Sequence, residues 1–285
     1  MPTVPRVHSS DTQVFLNNTR LTGIQSVEFD TEKQITELTK LGQFGTQDRI
    51  LTSNQTTNLK LDFILACDVA NDPFFGFQNS GILSVEKFNF KVIDTVGQNL
   101  ISGAYLSNYS LNFGVGELVK GSVSYEADTI VFNNSSFLTQ NDQSDDSFEV
   151  FKPSDVNVST DFAEGINSNS FCIQNASISF DISRTPVTRI GERIPRYRYP
   201  DTNGNGSVSF SIIKNSLTGI DLSSLVLDKG LLTFDLTSES CNVVIDVANA
   251  SLISISESND LDGNATIDFN YVFSLVNGSV TQTTY

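Results

Sequence analysis

The sequence has no tryptophan, a single methionine, a single histidine and three cysteines. Each shortage excludes a class of chemistry. His8 lies near the start of the chain and reads as a solvated tail residue. Without a second histidine the ordered body holds no Ser-His-Asp triad and no multi-histidine metal site. Cys67, Cys172 and Cys241 form no C-x-x-C pair. Their odd count and wide spacing argue against a zinc site and a secreted disulfide framework, so reduced thiols in a cytoplasmic product are expected. The lack of Trp removes the aromatic platforms that commonly hold sugars. No apolar run reaches the ~18 residues that would suggest a membrane helix. Residues 1–10 carry no apolar signal core, so Asn-x-Ser/Thr sites such as Asn17, Asn108 and Asn264 are read as chance occurrences rather than glycosylation sites. Positive charge is also short: 17 Lys and Arg face 33 Asp and Glu, for a net charge of −16. Such a chain repels phosphate, so adhesion to nucleic acid or to an anionic membrane is not expected. The charge suits a surface that nucleic acid slides past, and equally a surface that only keeps the protein soluble.

What remains is abundant phenylalanine (21 residues) within 39% hydrophobic and 18% charged residues. The composition can fill a core, and 285 residues suggest about two domains. Short alternating runs bounded by Gly, Asn or Asp dominate: Leu59, Leu61, Phe63; Phe88, Phe90, Val92; Val208, Phe210, Ile212; and Leu252 and Ile253 leading to Ile255. Period two predicts strands with one buried face. Helical periodicity is confined to Thr218–Asp228, stopped by Gly230, with a short counterpart near Asp68–Phe77. Residues 136–170 are acidic and rich in Asn, Ser and Asp, broken by one apolar patch from Phe148 to Pro153; they read as a linker. The expected organisation is a mainly β chain of tandem domains, 1–135 and 171–285, each with one short helix.

The domains read as diverged copies. Phe29-Asp30 leads to Thr39-Lys40-Leu41-Gly42 and then to Leu61; Phe180-Asp181 leads to Thr188-Arg189-Ile190-Gly191 and then to Phe210. Gly42 to Leu61 and Gly191 to Phe210 are both 19 positions. Further on, Gly121-Ser122-Val123 before Ile130–Phe132 parallels Gly263-Asn264-Ala265 before Tyr271–Phe273.

Few residues suggest chemistry. Gly114-Val115-Gly116 and Gly204-Asn205-Gly206 open no helix after a strand, so they read as turns rather than nucleotide loops. Asp201 to Gly206 has part of a calcium loop's oxygen set, but no carboxylate follows between Ser207 and Lys214. No carboxylate pair stands out for glycoside hydrolysis. No catalytic residue, metal or cofactor is expected, and the chain does not read as an enzyme.

The most concentrated signal is Arg184 to Pro200, which holds five of the 17 basic residues and three of the seven prolines. Proline keeps such a loop extended and out of an ordinary ladder, and Arg with Tyr favours interfaces. In an acidic chain its complement is the surface of another copy. The corresponding segment Leu41 to Leu51 lacks proline and most of the arginine.

The pattern of strand, long loop, strand, short helix and further strands, carried by Phe180 to Phe210 and echoed at Phe29 to Phe63, resembles the tail tube proteins of long-tailed bacteriophages. That resemblance implies β-sandwich or half-barrel domains whose sheets join across subunits around a lumen. It implies subunit contacts through Arg189, Arg193, Arg196, Tyr197 and Arg198, with Leu41, Phe44 and Arg49 in the first copy. With tandem domains, a homotrimer forms pseudo-sixfold rings stacked into a tube. The implied partners are further copies of the chain and the tape-measure, baseplate and terminator proteins of a tail, with DNA passing through unbound and no membrane contact. The implied location is the virion tail, after assembly in the host cytoplasm. The alternative is a two-domain adhesion, receptor-binding or decoration module of a virion.

Overall fold

The computed structural model describes residues 12–32, 35–38, 48–51, 56–66, 87–133, 149–160, 172–190, 192, 194–201, 204–214, 229–239, 241–258, 265–276 and 280–284. The chain is mainly β, as the alternation predicts. The first half contains β1 (Gln13–Leu16), β2 (Thr19–Arg20), β3 (Ile24–Glu32), β4 (Ile35–Leu38), β5 (Asp48–Leu51), β6 (Thr56–Ile64), β7 (Phe88–Ile93), β8 (Gln98–Gly114), β9 (Lys120–Ala127) and β10 (Thr129–Asn133). A 3-10 turn at Pro153–Asp155 precedes β11 (Val156–Thr160), β12 (Ile173–Asp181), β13 (Arg184–Val187), β14 (Tyr197–Pro200), β15 (Asn205–Ile213), β16 (Lys229–Thr237), β17 (Asn242–Ser258), β18 (Thr266–Ser274) and β19 (Val280–Thr284). The expected helices near Asp68–Phe77 and Thr218–Asp228 lie outside the described residues. Among those described, no helix is long and apolar enough to cross a membrane.

The hydrogen-bond pattern of the first half recurs in the second, in the same chain order. β3 pairs with β6, β6 with β9, and β9 with the later part of β8. Correspondingly, β12 pairs with β15, β15 with β18, and β18 with the later part of β17. The earlier part of β8 pairs with β7 and β10, and β7 with β1. The earlier part of β17 pairs with β16 and β19, and β16 with β11. The small hairpins β4–β5 and β13–β14 also correspond. β8 and β17 are both 17 residues long, and each serves two ladders. The change of ladder falls at left-handed residues, Gly103 (φ 70°) and Asn249 (φ 58°). Asparagine tolerates that region better than most residues with a Cβ.

The registers give a residue-by-residue correspondence. Ile24 lies opposite Phe63 as Ile173 lies opposite Ile212, each followed by a bulge. Leu61 therefore matches Phe210, as the loop spacing predicts, but Phe29 matches Ile178 rather than Phe180. Likewise Gly121 corresponds to Ile267, and Ile130–Phe132 belongs to β10, whose counterpart is β19 rather than Tyr271–Phe273. Part of the expected linker, Val156–Thr160, is a strand on the edge of β16, and Phe151 beside it is fully buried.

The core follows the alternation. Leu59, Leu61 and Phe63 point inward, as do Val208, Phe210 and Ile212. Phe90 of one ladder meets Tyr125 of the other with ring centroids 4.7 Å apart, so the two ladders of the first half face each other. Burying each such ring contributes about 1.5–3 kcal/mol. The core continues between halves: Tyr109 stacks on Phe180 at 5.3 Å, and Phe113 on Phe234 at 5.0 Å. Gly206 lies within β15, not in a turn, and the Phe273 ring covers it, so that a Cβ there would come within 2.1 Å of the ring. Cys241 is disulfide-bonded, which overturns the expectation of uniformly reduced thiols, while Cys172 is free and exposed.

Candidate assembly interface

The arginine-rich segment divides into a buried stem and an exposed tip. Its stem is the β13–β14 hairpin, where Arg184 lies opposite Pro200 and Val187 opposite Tyr197. The Arg184 side chain donates through Nε to the Leu106 carbonyl at 2.8 Å and through an Nη to the Arg198 carbonyl at 3.3 Å. Arg198 donates to Glu126 at 2.7 Å and to Asp128 at 3.3 Å. Lys87 approaches the other Asp128 oxygen at 3.1 Å. Arg184 and Arg198 are 8% and 3% exposed, so these charges require their partners. Burial pulls the Arg184 guanidinium below its ordinary value, with Tyr105 and Glu126 opposing that shift. Burial also pulls Lys87 down, but its contact with Asp128 outweighs this and holds it above the usual lysine value.

This cluster fastens the second half's hairpin to the first half. Arg198, expected at a contact with another copy, is used inside its own chain. Glu126 and Asp128 were not anticipated. Glu126 continues the polar alternation of Ser122 and Ser124, but nothing local marks Asp128 as the partner of an arginine 70 positions away.

The tip is open. Arg196 holds Glu192 through a forked contact within the loop, with its shortest distance 3.1 Å. Arg189 is exposed, and Tyr197 and Tyr199 lie half-exposed with ring centroids 5.9 Å apart. Ile190 and Ile194 also face solvent. Apolar side chains clustered at a loop tip suit a contact surface. Arg193, Leu41 and Phe44 lie outside the described residues. Arg49 occupies β5 opposite Glu37.

A second candidate surface is a pair of strand edges. Within the chain, β12 joins the later part of β8 over Asn175–Asp181 and Asn108–Gly114. The counterparts of these strands are β3 and the later part of β17. Among the described residues, β3 pairs only with β6, and that part of β17 only with β18. Their exposure fits: β12 alternates between buried and open positions, whereas Asp30 to Glu32 and Ile253 to Ser258 have no buried member.

Between those edges runs a polar face of eight strands. Serines bond across it, Ser177 to Ser209 at 2.8 Å and Ser179 to Ser207 at 2.9 Å. Ser26 donates to Asp62 at 2.7 Å, and Asn270 to Ser254 at 3.0 Å. Asn108 reaches Asp181 across the joint between halves. By strand alternation, Glu28, Asp30, Glu32, Asp62, Asp181 and Asp268 share this face with Lys60 and Lys120 among the described residues, and Glu126 at its border is paired with Arg198. Burial raises the Asp62 carboxyl, but bonds from Ser26 and Ser122 and the charge of Lys60 bring it below its ordinary value. Such a face is wettable, acidic and short of phosphate-binding groups. Among the described residues no cluster of His, Cys, Asp and Glu converges as a metal site would.

The chain matches no protein-family model, and no curated protein resembles it significantly.

Proposed function

We propose that the chain is a structural virion subunit that assembles with copies of itself into the rings of a bacteriophage tail tube. The observation that carries this reading is the β8–β12 joint together with the counterparts of both its strands, which among the described residues pair on one side only. One chain already contains one complete joint between repeats. Its two ends offer the components of the same joint, β17 at one and β3 at the other.

Because the two surfaces differ, joining them is head-to-tail, and repetition gives a closed ring or an open filament. Six similar repeats require a homotrimer. Pairing would also cover two edge strands that otherwise invite uncontrolled association. Carrying the β8–β12 register over sets Glu28 opposite Ser258, Asp30 opposite Ser256 and Glu32 opposite Ser254 of the next copy. With the serine-rich acidic face turned to the lumen, DNA meets hydroxyls and carboxylates and passes without adhering.

The test is negative-stain microscopy and sedimentation of the purified chain across a concentration series. Rings or tubes, with no retention of duplex DNA at low salt, are expected. A strictly monomeric protein at high concentration overturns the reading.

A further inference from the structure

We infer that the Lys214–Glu257 ion pair on the β17 edge is the seat for Phe29 of a second copy of this chain, and that the pair guards this edge against other strands. The inference rests on the self-assembly reading and gives it one contact and a means of selection.

Strand registers identify what the pair replaces. Glu257 lies opposite Ile267 as Leu111 lies opposite Gly121. Lys214 follows β15 and donates its backbone N–H to the Ala265 carbonyl at 2.8 Å, just as Leu65 follows β6 and donates to the Val119 carbonyl at 2.9 Å. Two leucines that are fully buried in the first half are therefore an ion pair in the second. In the first half β12 sets Ile178 opposite Leu111. In the second half both members of the pair are open to solvent, at 46% and 42%.

A charge at a core-facing position of a sheet edge hinders indiscriminate strand addition, because an apolar edge that pairs there must desolvate it. The β3 edge has the matching chemistry. Carrying the β8–β12 register over sets Phe29 opposite Glu257 of the next copy. Its counterpart Ile178 is buried in the joint, whereas Phe29 is half-buried. Phe132 of β10 lies beside it with ring centroids 6.3 Å apart and is 66% exposed. Seated on the pair, the Phe29 ring offers a negative face to the Lys214 ammonium and a positive edge to the Glu257 carboxylate, which an aliphatic side chain cannot do. Self-pairing is disfavoured at both edges. β3 against β3 brings Glu28, Asp30 and Glu32 together, and β17 against β17 brings two ion pairs together with no ring between them. The joint that remains is β3 on β17, head to tail.

The arginine lock of the in-chain joint does not recur there. The registers equate Glu126 with Val272 and Asp128 with Ser274. The socket that receives Arg198 in the first half is thus, in the second, a cleft of about 320 Å³ with no carboxylate among the described residues of its lining. The contact at Phe29 therefore carries more of the selection.

Photo-cross-linking tests the seat, with Phe29→p-benzoylphenylalanine doped at a low fraction into isotopically heavy wild-type chains. A mixed-isotope product joining position 29 to Lys214 or to the segment Ile255-Ser256-Glu257 is expected. In parallel, Phe29→Ala should raise the concentration for half-assembly about fivefold or more, with a folded monomer by circular dichroism. Lys214→Leu combined with Glu257→Leu restores the leucines of the first half. It should give irregular aggregates in sedimentation at concentrations where the wild-type chain is still monomeric. An assembly that forms without the cross-linked product overturns the seat, and a leucine variant that assembles as the wild type does overturns the guard; both leave self-assembly intact. A wild-type chain that never assembles overturns the self-assembly reading as well.

Discussion

The two halves share one pattern of strand pairing and differ in what their sockets hold. In the first half, the β8 edge is covered by β12, and Glu126 and Asp128 receive Arg198. In the second, the β17 edge pairs only with β18 among the described residues, and Val272 and Ser274 line a cleft. Exposure follows this difference. Phe180 is 1% exposed, whereas Thr31, its counterpart on β3, lies open. The recurring strand pattern thus presents one joint between halves and, elsewhere, the corresponding strands without it among the described residues, so each position in the joint has an internal control.

Phe180→Ala should produce the largest effect, removing a buried ring stacked on Tyr109. A loss of about 3–5 kcal/mol is expected in urea unfolding, while Thr31→Ala should leave the monomer within about 0.5 kcal/mol. Equal effects would break the distinction between a made and an unmade joint.

Arg198→Met should follow, at about 3 kcal/mol or more, because it leaves Glu126 and the buried Asp128 without their arginine. Arg196→Ala, which removes only an exposed pair with Glu192, should change stability by no more than about 1 kcal/mol. Thermal unfolding of the two variants side by side checks this.

The strand-switch residues come next. Gly103→Ala places a Cβ at φ 70° and within 2.4 Å of an Asp128 carboxylate oxygen, so a loss of at least about 1–2 kcal/mol is expected in denaturant unfolding. Asn249→Gly should be nearly neutral, since it relieves a left-handed residue at the corresponding place.

On the proposed β17 edge, Ser258→Glu should weaken assembly and Ser258→Lys should strengthen it, by about 0.2–1 kcal/mol per opposed pair. The shift in assembly concentration should shrink with added salt. Insensitivity to the sign of the charge would exclude the register that sets Glu28 opposite Ser258.

The smallest effect concerns pH. The Asp62 carboxyl is held below its ordinary value of 3.8, so its contribution is fully present above that value. It is lost as pH falls through the lowered folded-state value. Asp62→Asn should remove that part of the acid dependence, by less than about 1 kcal/mol for so exposed a group. Acid titration of both proteins by circular dichroism reads the difference.

Alternation made much of this legible. Leu59, Leu61 and Phe63 could be assigned to a core without any partner being known, and so could Val208, Phe210 and Ile212. The loop spacing aligned Leu61 with Phe210. The match of Phe29 with Phe180 was two positions out for a physical reason: a shift of two residues leaves every side chain on the same face, so hydrophobic pattern cannot detect it. The arginine-rich segment stood out by composition, but composition did not distinguish Arg198, buried against Asp128, from Arg196 on the surface. That distinction depends on a contact between strands 70 positions apart.

By itself, then, the sequence determined the strand class, the inward and outward faces, the acidic charge and the recurrence of one pattern. These are properties of short-range periodicity and composition, and each residue carries its share of them. Tertiary structure alone decided which edges are covered, which arginines are buried and where a cleft is left. Those depend on which backbone hydrogen bonds and charges meet across the chain, and no local pattern encodes that pairing.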